Sequence, residues 1–173
     1  DLEKRAVVKK IDLGESPEGV YISPDGKLVT ASVELTNSVA FIDTATDEVA
    51  FRIKIKGDNP EHAVFSPDSR FVYVGAEEDD KLEVIDVAVP TAPAFVTSLP
   101  MNFNDIEVVG STVYLSQGNT GSGVAVLDAS DPTAPQIVDR FYVDYFSQSL
   151  AVDDAHAYVL RGGYGAVYVV DTS

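Results

Sequence analysis

A phrase that returns at a near-constant interval restricts the fold of this chain more than any other feature. Ser23-Pro24-Asp25-Gly26 comes back as Ser66-Pro67-Asp68-Ser69, 43 residues later. An apolar pair followed by aspartate occurs four times, as Phe41-Ile42-Asp43, Val84-Ile85-Asp86, Val126-Leu127-Asp128 and Val169-Val170-Asp171, at intervals of 43, 42 and 43. A β-rich quartet precedes each pair: Leu28-Val29-Thr30-Ala31, Phe71-Val72-Tyr73-Val74, Thr112-Val113-Tyr114-Leu115 and Ala157-Tyr158-Val159-Leu160, the fourth one residue out of step. Four units therefore occupy the 173 residues.

Within a unit, short segments rich in Val, Ile, Phe, Tyr and Thr alternate with Gly, Pro, Asn and Asp clusters, the pattern of strands and turns. In the first unit the predicted strands are Gly19 to Ser23, Lys27 to Val33, Val39 to Asp43 and Val49 to Ile55. The last alternates Val49, Phe51, Ile53 and Ile55 with Ala50, Arg52 and Lys54, so it has one dry face and one wet face. No segment carries the apolar spacing of an amphipathic helix. Four-stranded antiparallel units of this period predict an all-β fold, a four-bladed β-propeller. The blades are expected at 17–56, 60–99, 103–143 and 146–173 of a single domain. The fourth lacks an outer strand, and residues 1–13, through Arg5 to Leu13, hold the offset that would let them supply it and close the ring. An open arc of a longer propeller has the same phase. Closure would remove the sheet edges, so a monomer is expected.

Composition excludes several kinds of chemistry. Without cysteine there is no disulfide framework, thiolate metal site or cysteine nucleophile. A formal charge of −16, from 28 acidic and 12 basic residues, opposes binding to nucleic acid or an anionic membrane. The long uncharged stretch from Val87 to Phe103 is broken by Pro90, Pro93 and Pro100, so no membrane insertion is expected. Only His62 and His156 could serve a Ser-His-Asp arrangement, and no Gly-x-Ser-x-Gly elbow is present. The run Gly118-Asn119-Thr120-Gly121-Ser122-Gly123 lacks the lysine and helix of a phosphate cradle.

Pro17 to Gly26, with Val39 to Thr46, resembles the YVTN-type propeller repeat, and Pro60 to Val74 repeats it. Asp128 to Pro135 resembles the related LVIVD-type repeat. The resemblance implies an extracytoplasmic protein, whether periplasmic, secreted or at the cell surface. Some larger propellers with such repeats are metal-dependent hydrolases such as lactonases.

Propeller function resides in the loops at the channel mouth. There the entering loops bring Glu15, Glu18, Asp58, Glu61, Asp105 and Asp144, and the joining loops bring Glu34 and Glu77-Glu78-Asp79-Asp80. This acidic face is either a solvated rim or a cation site, in which Glu18, Glu61 and Asp105 hold calcium or another hard ion, with Gln148 as the fourth member by repeat position. Phe103, Tyr145, Phe146 and Tyr164 are candidate anchors for a protein or peptide partner. These features favour a non-enzymatic binding or scaffold module. The alternatives are a lactonase-like hydrolase with a channel-mouth cation and a structural domain of a surface-layer or adhesion protein.

Overall fold

The Ser-Pro-Asp phrases form matching turns. Ser23 Oγ donates to Asp25 Oδ1 (2.8 Å) and accepts from the Leu28 amide, while the Lys27 amide also donates to Asp25. Ser66 and Asp68 repeat these bonds with Phe71 and Arg70. Gly26 occupies the left-handed position with φ 71°, and Ser69 takes the same region at 59°. The marker aspartates act in the same way after the third strands: Asp43, Asp86 and Asp128 accept from the amides of Ala45, Ala88 and Ser130. The periodic phrases are thus the corners that reverse the chain.

The computed structural model describes residues 3, 5–118, 123–143, 146–163 and 165–172. It is an all-β, four-bladed propeller of antiparallel sheets. Blade 1 contains β1 (Pro17–Ile22), β2 (Leu28–Val33), β3 (Ser38–Asp43) and β4 (Glu48–Lys54). Blade 2 contains β5 (Pro60–Phe65), β6 (Phe71–Ala76), β7 (Lys81–Asp86) and β8 (Ala94–Pro100). Blade 3 contains β9 (Asp105–Val109), β10 (Thr112–Gln117), β11 (Gly123–Asp128) and β12 (Gln136–Phe141), and blade 4 contains β13 (Ser147–Val152), β14 (His156–Arg161) and β15 (Ala166–Asp171). A single 3₁₀ turn at Glu34–Thr36 is the one helical element among the described residues. None of their helices is long and apolar enough to cross a membrane.

Each core lies between neighbouring blades. Phe41 and Val39 meet Ala63, Phe65, Val72 and Val74 between blades 1 and 2. Tyr73, Leu82 and Val84 meet Ile106, Val113 and Leu127 between blades 2 and 3. Tyr114 and Val124 meet Leu150 and Val159 between blades 3 and 4. Burying these faces is the main stabilising term, because a blade alone leaves both sides of its sheet wet.

The expected N-terminal outer strand of blade 4 is corrected by the structure. Blade 4 has three strands, and residues 5–13 form none. The segment is instead held along blade 1: Lys9 Nζ donates to the Thr46 carbonyl (3.1 Å), and Arg52 donates to that of Leu13 (3.1 Å). Val20 and Ile22 of blade 1 remain exposed, as do Val167 and Val169 of blade 4.

Candidate functional site

Irregular pairing at the start of the inner strands creates the site. The β1–β2 ladder slips between Pro17 and Val20, and the β5–β6 ladder between Pro60 and Ala63. Glu18 and the Glu61-His62 pair occupy these bulges, where a side chain is turned out of the regular alternation. His62 lies between two blades. Its Nδ1 accepts from the Tyr21 hydroxyl (2.6 Å), and its Nε2–H donates to the Asn104 carbonyl (2.9 Å), an assignment set by the carbonyl's being an acceptor. Asn104 in turn donates from Nδ2 to the Ser147 carbonyl (2.8 Å). One chain of hydrogen bonds thus links all four blades, and His62 spends both ring nitrogens on it.

Glu61 is placed differently. It lines a cleft with Glu77, Asp80, Met101 and Asn102, so an entering segment and a joining turn do share one face. The interior leaves about 10 Å³, room for about one water molecule. Burial pushes the Glu61 carboxyl above the usual range, and the Glu77 charge adds to this, with a hydrogen bond between the two groups. Asn59 Nδ2 donates to Glu77 (3.2 Å) and fixes that side chain. Asn102 Nδ2 donates to Asp80 (2.5 Å), while its buried Oδ1 has no hydrogen-bond partner among the described residues. Nearby, burial and then the Asp105 charge raise Glu107, and burial followed by the charges of Asp105, Glu107 and Glu61 raises the Tyr21 phenol.

The three carboxylates expected at a cation are placed differently from one another. Asp105 Oδ2 accepts from Ser149 Oγ (2.6 Å) and the Leu150 amide (3.0 Å), and its Oδ1 accepts from the Ile106 amide (2.9 Å), so it ties blade 3 to blade 4. Among the described residues no three His, Asp or Glu side chains are arranged to hold a metal ion. The aromatic candidates divide. Phe103 is buried over Gly75, where a Cβ would come within 2.9 Å of its ring, so it plugs the core between blades 2 and 3. Phe146 is half-buried and packs on Gly162 in the same manner. Tyr145 and Tyr164 lie outside the described residues.

Glu83 was not a sequence candidate. Fully buried on β7, it accepts from the Gly57 amide (2.6 Å) and the Lys56 amide (3.0 Å) and pins the connection from blade 1 to the cleft. The repeats do carry a signal for it, since the same position holds Ala40 in blade 1 and Ala125 in blade 3.

The family model described as lactonase, 7-bladed beta-propeller, matches residues 5–93, just over half of the chain. The chain belongs to this family. No curated protein matches the lactonase-family chain significantly. Among solved structures, Kuenenia stuttgartiensis hydrazine synthase is 20% identical with a TM-score of 0.78, over 96% of this chain and 49% of that one. The periplasmic gluconolactonase of Pseudomonas aeruginosa is 15% identical with a TM-score of 0.69, over 90% and 54%. The computationally designed Ika4 protein is 12% identical with a TM-score of 0.74, over 95% and 96%. At these identities the likeness is one of fold. The lactonase-family chain spans about half the length of the two natural structures.

Proposed function

We propose that the cleft at Glu61 and Glu77 hydrolyses a neutral, hydroxyl-rich lactone. The observation that carries this reading is that Glu61 and Glu77 line one cleft, where burial and then the Glu77 charge hold the Glu61 carboxyl above its usual range. Where one carboxyl of a neighbouring pair is held protonated by its surroundings, the two can divide acid and base roles. Lactone hydrolysis needs both: a base takes a proton from the attacking water, and an acid gives one to the ring oxygen as the acyl C–O bond breaks. Glu77 is the base and Glu61 the acid. Membership of the lactonase propeller family supports the reaction class. The buried Asn102 Oδ1 supports a hydroxyl-bearing substrate, because an acceptor in a cleft is stabilised by a donor. The lactone lies across the mouth, over the water-sized interior.

Charge selects among lactones. The −16 chain, with Glu61, Glu77 and Asp80 around the cleft, repels an anionic substrate and helps to expel the anionic hydroxy acid. The expected result is measurable hydrolysis of a neutral aldonolactone in a pH-stat assay. Turnover of its phosphorylated counterpart should be at least ~10-fold lower at low salt, the difference narrowing as salt is added. Equal turnover of the two, or none above the spontaneous rate, contradicts the proposal. An extracytoplasmic location fits this reading, because a neutral lactone needs no kinase upstream.

The partner-binding alternative has less support, since Phe103 is committed to the core and Phe146 packs on Gly162.

A further inference from the structure

The repeat allows each blade face to be compared with its counterparts, and two faces stand apart. Ala63, Ile106 and Leu150 occupy one place on the inner strands of blades 2, 3 and 4, pointing back to the preceding blade, and are 0%, 0% and 5% exposed. In blade 1 that place belongs to Val20, which is 65% exposed, and Ile22 beside it is 63% exposed where Phe65 of blade 2 is 4%. The forward faces behave alike. Tyr73 and Val84 of blade 2 pack on blade 3 and are 2% and 0% exposed. Their counterparts in blade 4, Tyr158 and Val169, are 39% and 61% exposed, in one apolar patch with Leu160 and Val167. Blade 1 therefore presents the back of a blade, and blade 4 the front of one, each shaped for the other.

A third feature completes the pattern. In blades 1 to 3 the third strand pairs with a fourth, but among the described residues β15 pairs only with β14. Residues 5–13 carry Val7 and Val8 exposed at 90% and 70%, and Lys9 and Arg52 hold the segment beside blade 1. That is where the outer strand of a preceding blade would run.

We infer that two copies of this chain join into an eight-bladed ring, blade 4 of each seated on blade 1 of the other. Residues 5–13 of each copy add the fourth strand to the other's β15. Over nearly their whole length the four blades match about half the length of larger chains, in which further blades can follow on either side. A two-fold axis then uses both faces of both copies and leaves no free edge. The −16 charge of each copy opposes the union, so it strengthens with salt.

Sedimentation of the whole chain from about 1 to 100 µM, in about 0.5 M sodium chloride to screen the charge, tests this. The expected species has twice the 18.5 kDa of one chain. Val169→Asp places a carboxylate in both seams and should raise the dissociation constant at least ~100-fold. Because Val169 is exposed within one copy, the variant should keep the native circular dichroism spectrum. Amide exchange at residues 5–13 should be slow in the dimer and fast in the variant. A chain that stays monomeric throughout the range overturns the inference, and with it the second copy as occupant in favour of blades supplied from elsewhere. Open chains of rising mass, or a dimer unaffected by Val169→Asp, overturn it equally.

Discussion

Replacing Glu83 with alanine is expected to destabilise the protein by about 3–5 kcal/mol, well beyond the loss of one ordinary hydrogen bond. The carboxyl is fully buried and receives the Gly57 and Lys56 amides. Its removal leaves two backbone donors without acceptors and a void behind them, and each cost adds to the other. Compensation by movement of the loop is restricted, because Gly57 already packs so closely that a Cβ there would lie 2.6 Å from that of Ala76. For a domain of this size the loss corresponds to a fall in Tm of roughly 10 °C or more. Glu83→Gln keeps one acceptor and should lose about half as much. Thermal unfolding of both variants checks the ordering, and an unchanged Tm in Glu83→Ala would contradict the role given to this residue.

Glu61→Gln is expected to lower lactone kcat by about 10²–10⁴-fold, the usual contribution of a positioned general acid. It should also raise Tm slightly at neutral pH. A carboxyl whose pKa is higher in the folded state binds its proton more tightly there. Its penalty is therefore absent below the unfolded pKa and develops as pH rises through the folded one. Glutamine removes the penalty and can still donate to Glu77, so Tm at pH 7 should rise by roughly 1–3 °C, kept small because the Glu61 side chain is 33% exposed and partly screened by solvent. The gain should vanish as pH falls through the ordinary glutamate range. Lost activity with gained stability separates a working acid from a structural side chain, whose replacement costs both.

The blades were legible because the residues that mark the period are those that make the corners. Ser23, Asp25 and Asp43 recur as Ser66, Asp68 and Asp86, and each performs the same local bonds. Closure was not legible, since it depends on the angle between blades. That angle follows from how Phe41, Tyr73 and their neighbours interdigitate, which a periodic pattern does not encode. The acidic mouth was visible as composition, but its chemistry was not. Counting carboxylates gave Glu18, Glu61 and Asp105 equal standing, whereas both oxygens of Asp105 are taken up by Ser149, Leu150 and Ile106. Phe103 looked like an anchor because nothing in its own segment shows that Gly75 waits opposite it.

The central claim is that Glu61 holds its proton to higher pH than an ordinary glutamate, because burial and then the neighbouring Glu77 charge disfavour its ionised form. Carbon-13 NMR titration of the Glu61 side-chain carboxyl reads this without a substrate. The expected midpoint in the native chain lies clearly above the usual glutamate value of about 4.3 and moves back toward it in Glu77→Gln. A midpoint at or below that value, or one that does not move in Glu77→Gln, would contradict the account.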